Sequence, residues 1–368
     1  MTDQMRPLQL ASIALKDFRC FDQTVIDLDS PIILICGLNG TGKTSLLEAL
    51  YYGCYLRSFR THLSRDLIAL GKDSFFIKLI VHDSFSDNNV DHTISVGFTG
   101  NKRLVKIDNK ATVSYKDLLS HYRVVSLTED DLALIKDGPQ ERRAFLDQAL
   151  ILDNPSFFAT MKEFLVVLDN RNALLQNQII DKEAYFIWTK QLWEHTYAIQ
   201  IERKKMLHQF ESLMNEMLDN CFGNDVNVSL VYQSKKASSM PFDQFLKANE
   251  QLLSQETYFK RSLFGAHVDD FSIQLEGKGS RAYASRGQQK MIVLLIKAAQ
   301  IKQLTQAKGP VIFLLDDFMT DFDAQRGKIL LSVLLSLNCQ LVFTSPHRNS
   351  ALESLLGESS LDHKIITI

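Results

Sequence analysis

The run Pro31-Ile-Ile-Leu-Ile-Cys36 leads directly into Gly37-Leu-Asn-Gly-Thr-Gly-Lys43-Thr44, and Ser45-Leu-Leu-Glu-Ala-Leu-Tyr-Tyr52 follows at once. A short uninterrupted apolar run is the pattern of a strand buried on both faces. The glycines after it let the backbone wrap tightly, and the residues from Ser45 have helix-forming composition. Strand, loop and helix in this order fit GxxxxGK[ST] without a mismatch. Such a loop cradles phosphates on inward-pointing N–H groups, at the positive end of the following helix. Lys43 is placed to bring a point charge to the β- and γ-phosphates of ATP, and Thr44 a hydroxyl ligand to Mg²⁺. The candidate nucleotide contacts are Gly37, Leu38, Asn39, Gly40, Thr41, Gly42, Lys43, Thr44 and Ser45.

A phosphate loop needs a second carboxylate at the end of a neighbouring strand to orient the metal. Val311-Ile-Phe-Leu-Leu315 followed by Asp316-Asp317 supplies one. Asp316 is the candidate metal ligand, and Asp317 the candidate catalytic group that polarises the attacking water. About thirty residues earlier stands Ala284-Ser285-Arg286-Gly287-Gln288-Gln289-Lys290. Serine and glycine opening a helix make a second anion site, of the kind that in ABC-type ATPases completes the site of an opposite protomer. Ser285, Arg286, Gly287 and Gln288 are the candidates for that contact. Asp321 and Asp323 fall where a D-loop belongs. Thr344 or His347, at the end of the strand Gln340–Thr344, falls where a γ-phosphate sensor belongs, with Thr344 closer in register. Lys43 and Asp316 stand 273 residues apart. That is too far for a small GTPase or a transporter ATPase module, and it is the layout of an SMC-type head with a large insertion.

The chain has 368 residues, 45% of them apolar, enough for a large core and two domains. A net charge of −2 gives no global basicity, so any nucleic-acid contact must come from local patches. Five scattered cysteines without a CxxC pair argue against structural zinc and disulfides. The longest apolar runs are far shorter than the roughly 20 residues a bilayer needs, and the N-terminus carries no apolar signal core. The expectation is a soluble, cytoplasmic protein with no membrane partner.

Along the chain, residues 8–28 read as two strands around Asp17-Phe18-Arg19. Residues 75–81 and 92–98 read as an antiparallel hairpin or meander with Asn88-Asn89 as a turn, and His121–Leu127 as a further strand. From Thr128 the texture becomes helical. Asn154-Pro155 pairs a cap residue with a first-turn proline, and a long charged stretch over 183–220 contains no Pro or Gly. Its apolar residues read as packing against a partner helix. The α/β texture is expected to return after Glu256, with a helix over Ser285–Gln300. The predicted fold is α/β: an ATPase head of the ABC/SMC type built from residues 1–127 and 256–368. Residues 128–255 form an inserted α-helical domain.

Several of these segments together resemble the RecF family of recombination-mediator ATPases over essentially the whole chain. Leu15-Lys-Asp-Phe-Arg-Cys-Phe21 is similar to that family's L-x-NFRN opening, and Arg57-Ser-Phe-Arg-Thr61 to its SFR segment. Thr128-Glu-Asp-Asp-Leu with Arg142-Arg143-Ala-Phe-Leu-Asp147 is similar to its PEDL…RRxFLD block. Phe264-Gly-Ala-His-Val-Asp-Asp270 resembles GPHRDD, and Ser285–Lys290 resembles SxGQQ. Thr128, Ala266 and Val268 depart from those patterns, and Asp317–Asp323 diverges from DVxSELD. The resemblance implies a weak ATPase that uses ATP and Mg²⁺, forms an ATP-dependent homodimer and binds double-stranded DNA near single-strand gaps. It would help RecO and RecR proteins load recombinase. Arg57, Arg60 and Arg65 are the leading candidates for DNA contacts, and Arg19 a candidate for reaching the nucleotide. Arg142/Arg143, Arg203-Lys204-Lys205 and Lys235-Lys236 are further basic clusters, each of which alone reads more readily as a solvated face. No glutamine marks a Q-loop, and Glu129 or Asp130 stands near that position.

Competing readings are an SMC- or hook-type tether, a transporter's energising subunit and a nuclease-fused relative. The insertion is too short for a tether's coiled coil, the motif spacing is too long for a transporter module, and no spare carboxylate/His cluster suggests a nuclease.

Overall fold

The computed structural model describes residues 9–83, 90–111, 118, 123–222, 226–235, 240–308, 311–317, 322–346, 351–358 and 362–368. They fall into two compact units, Met1–Asp131 with Arg286–Ile368, and Leu132–Ser285. The first unit begins with strands β1 (Gln9–Phe18) and β2 (Phe21–Asp27), paired as a hairpin. Asp17 and Arg19 both take φ 52° at its turn. After β3 (Ile32–Cys36) and helix α1 (Lys43–Tyr55) come β4 (Ser74–Asp83), β5 (Val90–Thr99), β6 (Lys102–Ile107) and β7 (Lys110–Ala111). They extend the hairpin into a six-stranded antiparallel sheet ordered β2-β1-β4-β5-β6-β7. Phe75, Ile77, Leu79 and Val81 are buried while Phe76 and Lys78 are exposed, the alternation of a sheet with one wet face. The turn expected at Asn88-Asn89 lies outside the described residues. Of the strand expected over His121–Leu127, β8 spans Val124–Leu127; Arg123 lies before it, and residues 121–122 are outside the described residues.

The second unit holds α2 (Pro139–Asp153), α3 (Phe157–Gln176) and the 41-residue α4 (Lys182–Phe222), roughly 60 Å long at 1.5 Å per residue. The Asn154 side chain accepts from Ser156 N, and α3 starts two residues after Pro155. α3 packs on α4, which accounts for the long apolar stripe. The unit is not purely helical. β9 (Val228–Gln233), β10 (Asp270–Leu275) and β11 (Lys278–Gly279) make a three-stranded antiparallel sheet. The α/β texture after Glu256 therefore does not mark a return to the head. β10 pairs with β9 in full register, from Asp270–Gln233 to Leu275–Val228, and the unit runs on to Ser285.

Charged clusters hold the second unit together. Arg171 and Glu256 have fully buried side chains 2.6 Å apart, with Tyr185, Thr189 and Ser262 bonding the same two groups. The Arg171 guanidinium lies 4.7 Å from the Tyr185 ring and 4.9 Å from that of Phe264. Arg203 pairs with Asp147, Arg142 with Asp270, and Arg143 donates to the Asp269 carbonyl. Glu256→Gln leaves the Arg171 cation buried without its counter-charge, so an unfolding loss of about 3 kcal/mol is expected in denaturant titration. An unchanged midpoint would mean the pair adds nothing to the fold.

The chain re-enters the first unit with α5 (Arg286–Lys308), β12 (Ile312–Leu315), α6 (Ala324–Leu335), β13 (Gln340–Ser345) and β14 (His363–Thr367). A parallel sheet results, ordered β14-β3-β13-β12-β8. β3, β12 and β13 are buried at every position, as continuous apolar runs require. Residues Met291–Gln300 of α5 are likewise buried all round. Gln340 joins the two sheets. Its Oε1 accepts from Leu10 N, and its Nε2 lies 3.0–3.1 Å from the carbonyls of Leu10, Leu28 and Ser30.

Candidate nucleotide-binding site

The parallel register sets β3, β13 and β12 side by side, so their C-terminal ends converge on one edge. Ligand sites of open α/β sheets lie outside that edge. The loop Gly37–Gly42 leaves β3 there, with Gly40 at φ 87° and Gly42 at φ 109°, conformations that favour glycine. A Cβ on Gly42 would sit 2.6 Å from Cys20 Sγ, and one on Gly37 2.5 Å from the Ile368 carbonyl oxygen. Gly42 is thus required by a close neighbour as well as by its dihedral angle, Gly40 by its dihedral angle and Gly37 by its neighbours. Thr41 Oγ1 and Thr41 N both donate to the Leu38 carbonyl and close the turn. Leu38, Asn39 and Gly40 are exposed at its tip, and Ser45 is half-buried in the first turn of α1.

Lys43 is buried, and its Nζ donates to the carbonyls of Gly37 at 2.8 Å and Leu38 at 3.0 Å. The ammonium is therefore held across the mouth of the loop by the loop itself. Thr44 Oγ1 donates to Asp316 Oδ2 at 2.8 Å, bridging residues 272 apart in sequence. Thr344 Oγ1 donates to Asp316 Oδ1 at 2.8 Å and accepts from Asp317 N at 2.8 Å. Asp317 takes the left-handed φ of 44°, and Lys290 donates to its carbonyl at 3.2 Å. A non-glycine residue there carries strain that the surrounding bonds must hold. Burial pushes the Asp316 carboxyl above its ordinary range, against the Thr344 and Thr44 hydroxyls; Asp317 adds to the rise and Lys43 opposes it.

A partly desolvated carboxylate beside a second acid and a threonine hydroxyl is a donor set suited to a hard divalent cation such as Mg²⁺. Thr344 ties the Asp316 carboxylate to the Asp317 backbone N–H. Thr344→Val removes its hydroxyl, and ATP turnover is expected to fall about tenfold or more with ATP affinity little changed. Single-turnover rates and equilibrium binding measured side by side separate the two.

Other expected residues have these partners. Arg19 pairs with Glu48: its Nε and Nη2 each lie 2.8 Å from that carboxylate, and Nη1 donates to the Asp66 carbonyl. The hydrogen bond to Glu48 raises its pKa further. A buried glutamate in the second turn of α1 satisfies the guanidinium, so Arg19 fixes the β1–β2 turn that presses on Gly42. Glu48 also accepts from Ser58 and lies 3.8 Å from Arg60. Its acidic side chain within an otherwise buried helix was the signal for this role. Arg57, Arg60 and Arg65 are exposed in the segment after α1.

Arg142, Arg143 and Arg203, which read from sequence as basic clusters, are internal ion pairs or carbonyl donors of the second unit. Lys236 lies outside the described residues. Ser285 and Arg286 are exposed at the start of α5, with Gly287 and Gln288 half-buried behind them. Arg286 pairs at 2.7 Å with Glu129, which stands in the turn after β8. Asp323 caps α6, accepting from Arg326 N. Asp321 and His347 lie outside the described residues.

A phosphate loop facing a half-buried Asp316, on a head assembled from both chain ends, defines an α/β nucleotide-binding head of the ABC/SMC type. The chain belongs to the AAA-domain family, whose model matches residues 12–308. It resembles RecF over nearly its full length. It is 28% identical over 340 residues to the DNA replication and repair protein RecF of Leptospira interrogans, covering 91% of each chain. With that of Clostridium perfringens it is 28% identical over 361 residues, covering 98% of each. Among solved structures, the recombination mediator protein RecF-ATP of the RecFOR pathway superposes with a TM-score of 0.82 at 23% identity, over 95% of both chains. The Smc head domain of Pyrococcus furiosus superposes with a TM-score of 0.54 at 13% identity, over 95% of this chain and 92% of that one. No described helix is long and apolar enough to cross a membrane.

Proposed function

We propose that this protein is an ATPase of DNA replication and repair that binds duplex DNA near single-strand gaps, pairs with a second copy on ATP and hydrolyses it slowly. The observation that carries the ATP half is the clasp of Thr44, Asp316 and Thr344 around a loop already closed by Lys43. In use, Lys43 would exchange its two loop carbonyls for the β- and γ-phosphate oxygens. Thr44 and Asp316 would hold Mg²⁺, which when bound offsets the phosphate charge. Asp317, oriented through its own N–H and carbonyl, would polarise the attacking water. The exposed opening of α5 at Ser285-Arg286-Gly287-Gln288 would complete the γ-phosphate contacts of a second copy.

The DNA half rests on the named RecF relatives and on exposed Arg57, Arg60 and Arg65. RecO- and RecR-type mediators are the partners that the same relationship suggests, in the cytoplasm. Duplex DNA is expected to raise ATP turnover several-fold at low salt, with the stimulation fading as salt rises because phosphate contacts release counterions. A steady-state ATPase rate that is flat with and without a gapped duplex at about 50 mM salt argues for an ATPase acting elsewhere.

A further inference from the structure

The six-stranded antiparallel sheet has an outer face that the nucleotide site does not use. In one row across four strands, Lys16 of β1 stands opposite Phe76 of β4, Phe76 opposite Gly97 of β5, and Gly97 opposite Leu104 of β6. Two residues along, Lys78 and Lys106 flank Ser95 in the next row. Lys102 lies on the same face at the start of β6. All four lysines are exposed, and none meets a carboxylate among the described residues. Asp27 and Asp91 at the far end of this face are paired with Lys364 and His82, and Asp108, two residues beyond Lys106, is paired with His92. In a chain of net charge −2, four exposed lysines that pair with no carboxylate among the described residues are a local feature.

Phe76 is 40% exposed and Leu104 57% exposed. Gly97 puts nothing over the Phe76 ring: a Cβ added there would be 3.9 Å from Phe76 Cδ2. A wet sheet face ordinarily mixes both signs of charge and small polar groups. This one places an uncovered aromatic ring and an aliphatic side chain among four lysines and small polar residues such as Ser95. A duplex keeps its bases stacked inside and offers such a ring nothing. An unpaired strand offers both phosphates for the lysines and a base face for the ring.

We propose that the outer face of this sheet binds a single-stranded stretch of DNA, with Lys16, Lys78, Lys102 and Lys106 holding phosphates and Phe76 stacking on a base. The proposal rests on the DNA-gap reading above and assigns the single-stranded side of the gap a place on this chain.

The test uses the full chain, with fluorescence anisotropy of labelled dT20 and of a duplex of about 20 bp at about 50 mM salt. Lys78→Glu with Lys106→Glu is expected to weaken dT20 binding tenfold or more. It should also flatten the salt slope, by about 0.7 for each phosphate that the variant no longer neutralises. Phe76→Ala should weaken binding roughly tenfold at an unchanged salt slope, because stacking disappears while every charge remains. ATP binding, ATP turnover without DNA and far-UV circular dichroism should stay as in the parent. Parent-like dT20 affinity in both variants overturns the proposal. So does a parent protein that binds duplex and not dT20, an outcome that leaves the DNA-gap reading standing. If the parent binds neither, both fall.

Discussion

Lys43→Ala is expected to lower ATP affinity by about two to three orders of magnitude while leaving the folded state intact. Lys43 is the one cation within the loop, and a hydrogen bond to a charged group is worth about 1.5–3 kcal/mol, more where water is excluded. In the structure the ammonium bonds to the Gly37 and Leu38 carbonyls. Its removal frees two carbonyls at the loop mouth that water can satisfy, so the penalty should fall on the ligand and not on the core. Titration calorimetry with ATP and Mg²⁺, beside a thermal unfolding curve without ligand, separates the two. A variant that binds ATP within threefold of the parent would remove Lys43 from the phosphate site.

Asp317→Asn is expected to do the opposite: ATP stays bound and turnover falls by about two orders of magnitude or more. The substitution keeps the Asp317 N–H to Thr344 and the carbonyl that accepts from Lys290, so the backbone geometry survives. What changes is the side chain, which no longer carries the charge to polarise water. With hydrolysis blocked, two copies should stay joined through ATP. Sedimentation of this variant in excess ATP should therefore show a dimer. A monomer there sinks the paired-head model, and parent-like turnover sinks the assignment of Asp317.

Lys43 and Arg19 differ in how far their roles depend on distant residues. Lys43 lies within eight consecutive residues whose chemistry is local: glycines for positive φ, a lysine, a threonine and a helix behind them. That is a property of residue order alone. The role of Arg19 is not local. Its guanidinium pairs with Glu48 from the second turn of α1, a partner that residue order does not name. Likewise the strand Asp270–Leu275 has the same alternation whether it joins the head or the insertion. Pairing with β9 decides the matter, because a strand's backbone bonds go wherever an open edge meets them. Arg142, Arg143 and Arg203 look like cationic surface in the sequence. In the fold, burial makes Asp147 and Asp270 the necessary partners of Arg203 and Arg142.

Residue order was enough to specify the phosphate loop, the buried strands on which it and Asp316 stand, and the long helical insertion. Each follows from short-range pattern: glycine geometry, an uninterrupted apolar run, or a charged stretch without a breaker. Folding was needed to bring Thr44 and Thr344 together on Asp316, to seat Arg19 on Glu48, and to gather four lysines with Phe76 on one sheet face. Those meetings depend on register and crossover between segments as distant as Thr44 and Thr344, and register is settled by the packing of the whole core, beyond the reach of any one segment.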